Sequence, residues 1–325
     1  MPELIMSNDL LLSILAVTES AAIATTPFVG GGDKYAVDAA AVAAMRSAFE
    51  SVPIGGVIVV GEGEKDEAPM LFTGDLVGTG DEPLVDIAVD PIDGTRLAAQ
   101  QLPGSIAVMS IAPRGSLFDP GPVFYLEKLI SSGDTHSLTL DVPLTETLLT
   151  MAAQLDRPVD SLRVAIQERA RNQVYADAVR AVGAHVVTFR DGDVVTALRA
   201  AQHGSSIDLQ VGIGGAPEGV LTAVAVRALG GQMEGRLAPQ TAEESQLAAE
   251  RGFDLNRVLR LSDLAAADGY FFLTAVTEVS GITSGIDLRE VRIHSDNVHG
   301  TRSHTESVVI SPGGAIRFVS RQRAV

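Results

Sequence analysis

The sequence predicts an α/β protein whose strand-end carboxylates gather at one cleft. Three observations carry this. Short β-branched runs bounded by glycine, at 57–60 and 85–89, read as buried strands, and each ends in carboxylates. From Arg163 onward strand-like runs alternate with helix-like ones, the pattern of a sheet with helices laid on it. Finally, 325 residues with 46% hydrophobic and 20% charged side chains can bury a core as one large layered unit or as two domains.

In chain order, Ser7 is a plausible N-cap for an amphipathic helix over 7–25, with Leu11, Ile14, Leu15 and Ala22 at helical spacing. Gly30-Gly31-Gly32 closes it and leads into Asp33-Lys34. An alanine-rich helix follows over 37–49. Asp38 falls in its first turn, where an acid complements the helix dipole, so a ligand role and a capping role stand level there. Strands at 105–111 and 124–130 flank Arg114-Gly115, which reads as a hairpin turn. A polar loop at 131–135, a short strand at 138–142 and a helix at 144–155 come next. The second half reads strand 164–166, helix 172–182, strand 184–189, helix 194–202, strand 207–213 and helix 218–229. Residues 240–252 are polar and helical, 270–279 a strand, and 308–319 a terminal hairpin about Gly313-Gly314. A boundary near Pro143 separates 1–143 from 144–325. His294, His299 and His304 lack metal-ligand spacing and read as solvated loop residues.

Composition narrows the function. The formal charge is 24 − 41 = −17, so there is no basic surface to attract nucleic acid or an anionic membrane. Cysteine is absent, which excludes disulfides and thiol catalysis. Residues 1–17 lack a basic leader region, and no apolar run reads as long enough to span a membrane, which makes the cytoplasm the default. With no tryptophan and few aromatics, a base-stacking platform is not expected.

The chemistry concentrates in residues 57–95. The first strand is followed by Glu62, Glu64 and Asp66, the second by Asp90, Asp93 and Gly94-Thr95. Five carboxylates converging on one cleft repel one another unless something positive sits among them, and only Lys65 and Arg96 are near in sequence. A hard cation answers this: Mg²⁺ or Mn²⁺ takes carboxylate oxygens and completes its shell with water and phosphate. Pro91 and Gly94 shape a tight turn. Thr95 then opens a short helix over 96–102 whose free N–H groups suit a phosphate. Together they point to metal-assisted phosphoryl hydrolysis rather than to a merely solvated acidic loop.

Three further segments belong to the same cleft. In 212–220, GIGGAPEGV, Gly214 and Gly215 let backbone approach a ligand and Glu218 sits at a helix start. A plain strand–helix turn is the alternative. Asp191-Gly192-Asp193 resembles the opening of haloacid-dehalogenase-type phosphatases, whose first aspartate is a nucleophile. A turn with Asp193 capping the next helix is the simpler reading. Arg169 and Arg171 are either counter-charges for a second phosphate or surface arginines.

The motif D-P-I-D-G-T with upstream acids is shared by the lithium-sensitive, metal-dependent sugar and inositol phosphatases. The longer strings resemble the class II fructose-1,6-bisphosphatase family. They are G-D-K-x-x-x-D at 32–38, G-E-G-E-K-D-E-A-P-M-L at 61–71, V-D-I-A-V-D-P-I-D-G-T at 85–95, D-G-D-V at 191–194 and G-I-G-G-A-P-E-G at 212–219, covering the chain from the first helix to about Thr274. The resemblance implies a sugar-phosphatase sandwich, layered α-β-α-β-α, with the site between two subdomains. It implies metal ligands at Asp38, Glu62, Asp90, Asp93 and Glu218. Lys34, Asp66 and Thr95 would serve catalysis, with Thr95 orienting the attacking water or stabilising its deprotonation. Substrate contacts would come from Asp93, Gly94, Thr95, Tyr125, Arg169, Arg171, Asp191, Asp193 and Gly215, which demotes Asp191 from nucleophile to sugar contact.

Two segments depart from the family pattern. Ala170-Arg171-Asn172 stands where a P-R-H-like segment is usual, and 278–288, EVSGITSGIDL, replaces a T-G-x-T-x-G-D-L-L-x-G pattern. The expectation is a Mg²⁺- or Mn²⁺-dependent enzyme that removes the 1-phosphate of fructose 1,6-bisphosphate, giving fructose 6-phosphate. The departures keep open a preference for sedoheptulose 1,7-bisphosphate or another sugar or inositol phosphate. From another class, a non-catalytic metal- and phosphate-binding regulator remains an alternative. A homo-oligomer, dimer or tetramer, is what the resemblance implies.

Overall fold

The computed structural model describes residues 4–61, 71–136, 138–283, 286–296 and 300–324. The chain opens with helices α1 (Asn8–Thr25) and α2 (Lys34–Phe49), then β1 (Gly55–Val60), β2 (Leu76–Val77), β3 (Leu84–Asp93), the short α3 (Thr95–Ala99), β4 (Ile106–Pro113) and β5 (Tyr125–Ser131). After α4 (Leu144–Gln154) come β6 (Arg163–Gln167), α5 (Gln173–Ala181), β7 (His185–Phe189), α6 (Val194–Ala201), β8 (Leu209–Gly215), α7 (Ala216–Ala228) and β9 (Gln232–Leu237). The remainder is α8 (Ala242–Glu250), β10 (Leu259–Arg260), α9 (Leu261–Leu264), β11 (Tyr270–Ala275), β12 (Val279–Thr283), β13 (Ile286–Leu288), β14 (Arg292–Asp296), β15 (Gly300–Ile310) and β16 (Ile316–Ala324).

The helix starts follow the sequence. Ser7 accepts the Leu10 N–H at 3.2 Å, and Asp33 accepts from Tyr35 and Ala36 at 3.0 and 3.2 Å, so both N-termini are capped from their own chain. That cap starts α2 at Lys34, one turn before the 37–49 helix that the alanine run suggests. The first sheet runs β14-β15-β11-β4-β3-β1-β2. β15 meets β11 through 307–310 and β14 through 300–304, with β16 along its other edge. The second runs β10-β9-β5-β8-β6-β7.

Three cores give the layers. α1 and α2 pack Leu11, Ile14, Leu15, Val37 and Met45 against Ile87, Met109 and Phe272 of the first sheet. α6 and α7 fill the space between the sheets, where Val194, Leu198, Val220 and Val224 meet Val108, Phe271, Leu126 and Ile130. α4 and α5 cover the outer face of the second sheet through Leu148, Met151 and Val179. The order is α-β-α-β-α, as expected. α7 is buried on nearly all sides because both sheets flank it, which matches its apolar, alanine- and valine-rich sequence. The sheets exchange chain on both sides of Pro143: β5 lies in the second sheet, and β11, β14, β15 and β16 return to the first.

Several local expectations are corrected. Residues 138–142 form a turn, not a strand. Arg236 bonds Leu140 O and Asp141, and Glu234 takes the Leu140 N–H, so side chains of β9 replace a backbone ladder. Arg114-Gly115 is a turn but not a hairpin. Asp86 accepts from Ser116 N and Leu117 N at 2.8 and 3.1 Å, steering the chain out of the first sheet and on to β5 in the second. The 270–279 strand stops at Ala275, where Val276 N and Thr277 N both turn to Ser105 O. His294 and His304 lie on strands, and His304 bonds Ser320 at 2.7 Å. Asn8–Phe28 is, by length and composition, long and apolar enough to cross a membrane, contrary to the expectation for this chain. Half of it is buried inside the protein, on the face carrying Leu11, Ile14 and Leu15.

Candidate active site

β3 ends in an irregularity that aims its carboxylates. Its pairing with β4 shifts register between Asp90 and Asp93, around Pro91, which has no N–H to give to a ladder. The Ile92 N–H turns back to Asp90 Oδ1 at 3.0 Å. Gly94 then takes φ 85°, a left-handed conformation that favours glycine, and α3 begins at Thr95 and ends at Ala99, shorter than the 96–102 helix expected. From the other side, β8 runs into α7, whose first turn carries Pro217 and Glu218. Asp90, Asp93 and Glu218 each present an oxygen within 4.8 Å of the others, a spacing that could hold a metal ion.

The electrostatics of Asp93 and Glu218 fit a cation. Burial pushes the Asp93 carboxyl well above the usual carboxylate range, and repulsion from Asp193 and Glu218 adds to it, while the Val194 N–H opposes. Glu218 is pushed up by burial and then by Asp193, against the pull of Lys128. Glu218 Oε2 is buried with no hydrogen-bond partner. Groups that resist ionising together, with an orphaned acceptor among them, are the donor set a divalent ion stabilises.

Asp38, on α2, faces the same cavity as Thr95 and Lys34. Its carboxyl is raised to about 6, by burial first and by Asp191 in smaller part, while a Thr95 hydrogen bond and Lys34 oppose. Its Oδ1 is buried and unpartnered. Thr95 Oγ1 also lies 3.3 Å from Ile92 O, which ties the hydroxyl to the turn after Asp90.

Opposite stand the arginines. Arg171 lies over the Tyr125 ring, 4.5 Å from its centroid, and its Nε donates to Ile213 O at 3.0 Å. Arg169 pairs with Asp191 at 2.8 Å and donates to Arg190 O at 2.7 Å, so its guanidinium is fixed by its own chain. The cavity, about 640 Å³, is lined by Lys34, Asp38, Asp90, Asp93, Gly94, Thr95, Tyr125, Arg169, Arg171, Asp191, Asp193, Gly215 and Glu218. Gly61 at the end of β1 also lines it. Glu62 and Asp66, which follow, lie outside the described residues, as do Glu64 and Lys65.

The structure changes the reason for two sequence features. A Cβ on Gly214 would sit 2.3 Å from Asp193 Oδ2 and 2.9 Å from Lys128 Nζ, and one on Gly215 would sit 1.9 Å from Glu218 Oε2. The glycines at 214 and 215 therefore make room for the protein's own side chains, not only for a ligand. Asp193 occupies the N-cap position of α6 but makes no capping bond. It pairs with Lys128, and the Val194 N–H goes instead to Asp93 Oδ2 at 3.1 Å. Sequence reasoning missed Lys128. The signal was there: in β5 it shares the inward face with Leu126 and Ile130, where a lysine has no place without a partner.

The family model described as bacterial fructose-1,6-bisphosphatase, glpX-encoded, matches residues 8–323. The likeness thus runs past Thr274, through the segment that departs from the family pattern. The chain is 39% identical over 334 residues to fructose-1,6-bisphosphatase 1 class 2 of Escherichia coli strain K12, spanning 98% of this chain and 96% of that protein. The fructose-1,6-bisphosphatases class 2 of Escherichia coli O6:H1 and Shigella flexneri match with the same identity and coverage.

Proposed function

The chain belongs to the glpX-encoded bacterial fructose-1,6-bisphosphatase family, and on that premise we propose that it is a phosphoric monoester hydrolase releasing the 1-phosphate of fructose 1,6-bisphosphate with the help of Mg²⁺ or Mn²⁺. The observation that carries this is the convergence of Asp90, Asp93 and Glu218 within 4.8 Å, on a cavity also lined by Arg171 and Tyr125.

Asp90, Asp93 and Glu218 would hold the metal, with Asp38 and Glu62 completing the set. When bound, the divalent cation supplies Lewis-acid polarisation of a phosphoryl oxygen and lowers the pKa of coordinated water. The chain's own residues do the rest. Thr95, bonded to Asp38, orients the attacking water. Gly94, by its left-handed turn, brings backbone close to the transferring phosphoryl group. Lys34, beside Asp38, adds positive charge where the leaving oxygen develops its own. Arg171, held flat by Tyr125, takes the distal phosphate, and Arg169 sets Asp191 for a sugar hydroxyl.

The two departing segments support fructose 1,6-bisphosphate over a rebuilt substrate pocket. Asn172 is buried, accepts the Ile213 N–H at 2.8 Å and donates to Gln167 O at 3.2 Å, so the change from histidine falls in the framework between β6 and β8. Of residues 170–172 only Arg171 lines the cavity, and no described residue of 278–288 does.

The test is phosphate release from fructose 1,6-bisphosphate, sedoheptulose 1,7-bisphosphate and inositol 1-phosphate, each with Mg²⁺, with Mn²⁺ and with chelator. Metal-dependent preference for the first is expected. Preference for either of the others moves the substrate. Binding without turnover of any leaves a regulator.

A further inference from the structure

Among the described residues Lys128 is the only lysine or arginine withdrawn from solvent, at 2% exposure. It does not face a surface or a ligand. Its Nζ pairs with Asp193 and lies 3.4 Å from Gly215 O, three residues before Glu218. Asp193 precedes Val194, whose N–H is held on Asp93 Oδ2 at 3.1 Å. Two of the three carboxylates that converge at the cation position are thus linked to Lys128, Asp93 through Asp193 and the Val194 N–H, and Glu218 along the chain from Gly215. Asp193 is itself a buried carboxylate beside them, and its Oδ1 has no partner. Gly214 lies where any side chain would strike this pair.

We propose that Lys128 is a positioning residue that sets the charge and membership of the metal site. It keeps Asp193 out of the cation's ligand set and fixes α6 so that Asp93 presents one oxygen. The proposal rests on the metal reading above. Its consequence runs against the ordinary expectation for a supporting residue. A fixed positive charge beside Asp193 and Glu218 weakens cation binding, because it offsets one of the negative charges that attract the ion. The site would hold its ion less tightly than with Asp193 as a fourth ligand, and at Asp90, Asp93 and Glu218.

The probe is Mn²⁺ binding to chelator-stripped protein without substrate, followed by loss of the free-ion electron paramagnetic resonance signal. Lys128→Met, close in length and uncharged, is expected to bind Mn²⁺ about fivefold or more tightly than the parent. Its kcat is expected to fall about tenfold or more while KM for the sugar bisphosphate changes less than about threefold, since Asp193 is free to draw the ion from its place. A merely structural role predicts weaker Mn²⁺ binding instead. The double variant K128M/D193N removes both charges and leaves the net charge as it was. Its Mn²⁺ affinity should return to within about threefold of the parent, and it stands in for the single variant should that fail to fold. Parent-like or weakened binding in Lys128→Met, or about tenfold weaker binding in the double variant, overturns the proposal while leaving the metal reading intact. A parent that binds no Mn²⁺ overturns both.

Discussion

Asp38 links the site to stability at the scale of one residue. An unfolded aspartate titrates near 3.8, and in the fold this one is raised to about 6. The folded state therefore binds the proton more tightly. The sign follows: the contribution to stability is full below about pH 4 and is lost as pH rises through about 6. Discounted for partial exposure it amounts to about 2 kcal/mol. Denaturant unfolding of the chelated protein at pH 4.5 and 7.5 should show a loss to which Asp93 and Glu218 also contribute, and Asp38→Asn should make that loss smaller by about 2 kcal/mol. Glu218→Gln should cost about a hundredfold or more in turnover at saturating Mg²⁺. Arg171→Ala should lower kcat/KM for the bisphosphate about tenfold to a hundredfold, mainly through KM, if it takes the distal phosphate. An unchanged kcat/KM would point to a monophosphate substrate. Asp90, Asp93 and Glu218 were legible because strand ends and helix starts carry their acids in view of the sequence. Lys128 showed itself only as a lysine on an inward face; which partner it meets was not legible, because Asp193 lies 65 positions away.

Elements were legible where periodicity and punctuation agree. Ser7 caps α1, Gly94 turns β3 into α3, and Gly313-Gly314 sits between β15 and β16. They were misread where side chains from elsewhere decide. The turn at 138–142 is set by Glu234 and Arg236 of β9. β9 itself went unseen because QMEGRL has no β-branched residue, and β5 and β10, lying on either side of it, make it a strand. The turn between β8 and α7 offers a test at this scale. Gly214→Ala puts a methyl group against the Lys128–Asp193 pair and should cost about 1–3 kcal/mol, seen as a lower denaturant midpoint with an unchanged slope. A neutral outcome would mean that the pair is loosely held.

At the scale of the whole molecule, the site is made where the two sheets meet around one helical layer. β3 from the first sheet, β5 and β8 from the second, and α7 between them all reach the cavity, as does Asp193 at the start of α6. The layer order was implied by resemblance alone. Periodicity gave strands and helices without saying that β5 joins the second sheet or that the last strands return to the first. Bringing like-charged carboxylates together at this junction costs stability that a bound cation recovers. At a Mg²⁺ or Mn²⁺ concentration of about 100 times Kd, unfolding free energy should rise by about 2.7 kcal/mol, read as a rise in Tm of several degrees.

The central claim is a metal-dependent attack on one phosphate of a bisphosphate. The most direct measurement is phosphorus NMR of fructose 1,6-bisphosphate with chelator-stripped protein, before and after Mn²⁺ is returned. The account predicts no change before, and fructose 6-phosphate with inorganic phosphate after. Fructose 1-phosphate as the product, or equal turnover without the metal, would contradict it.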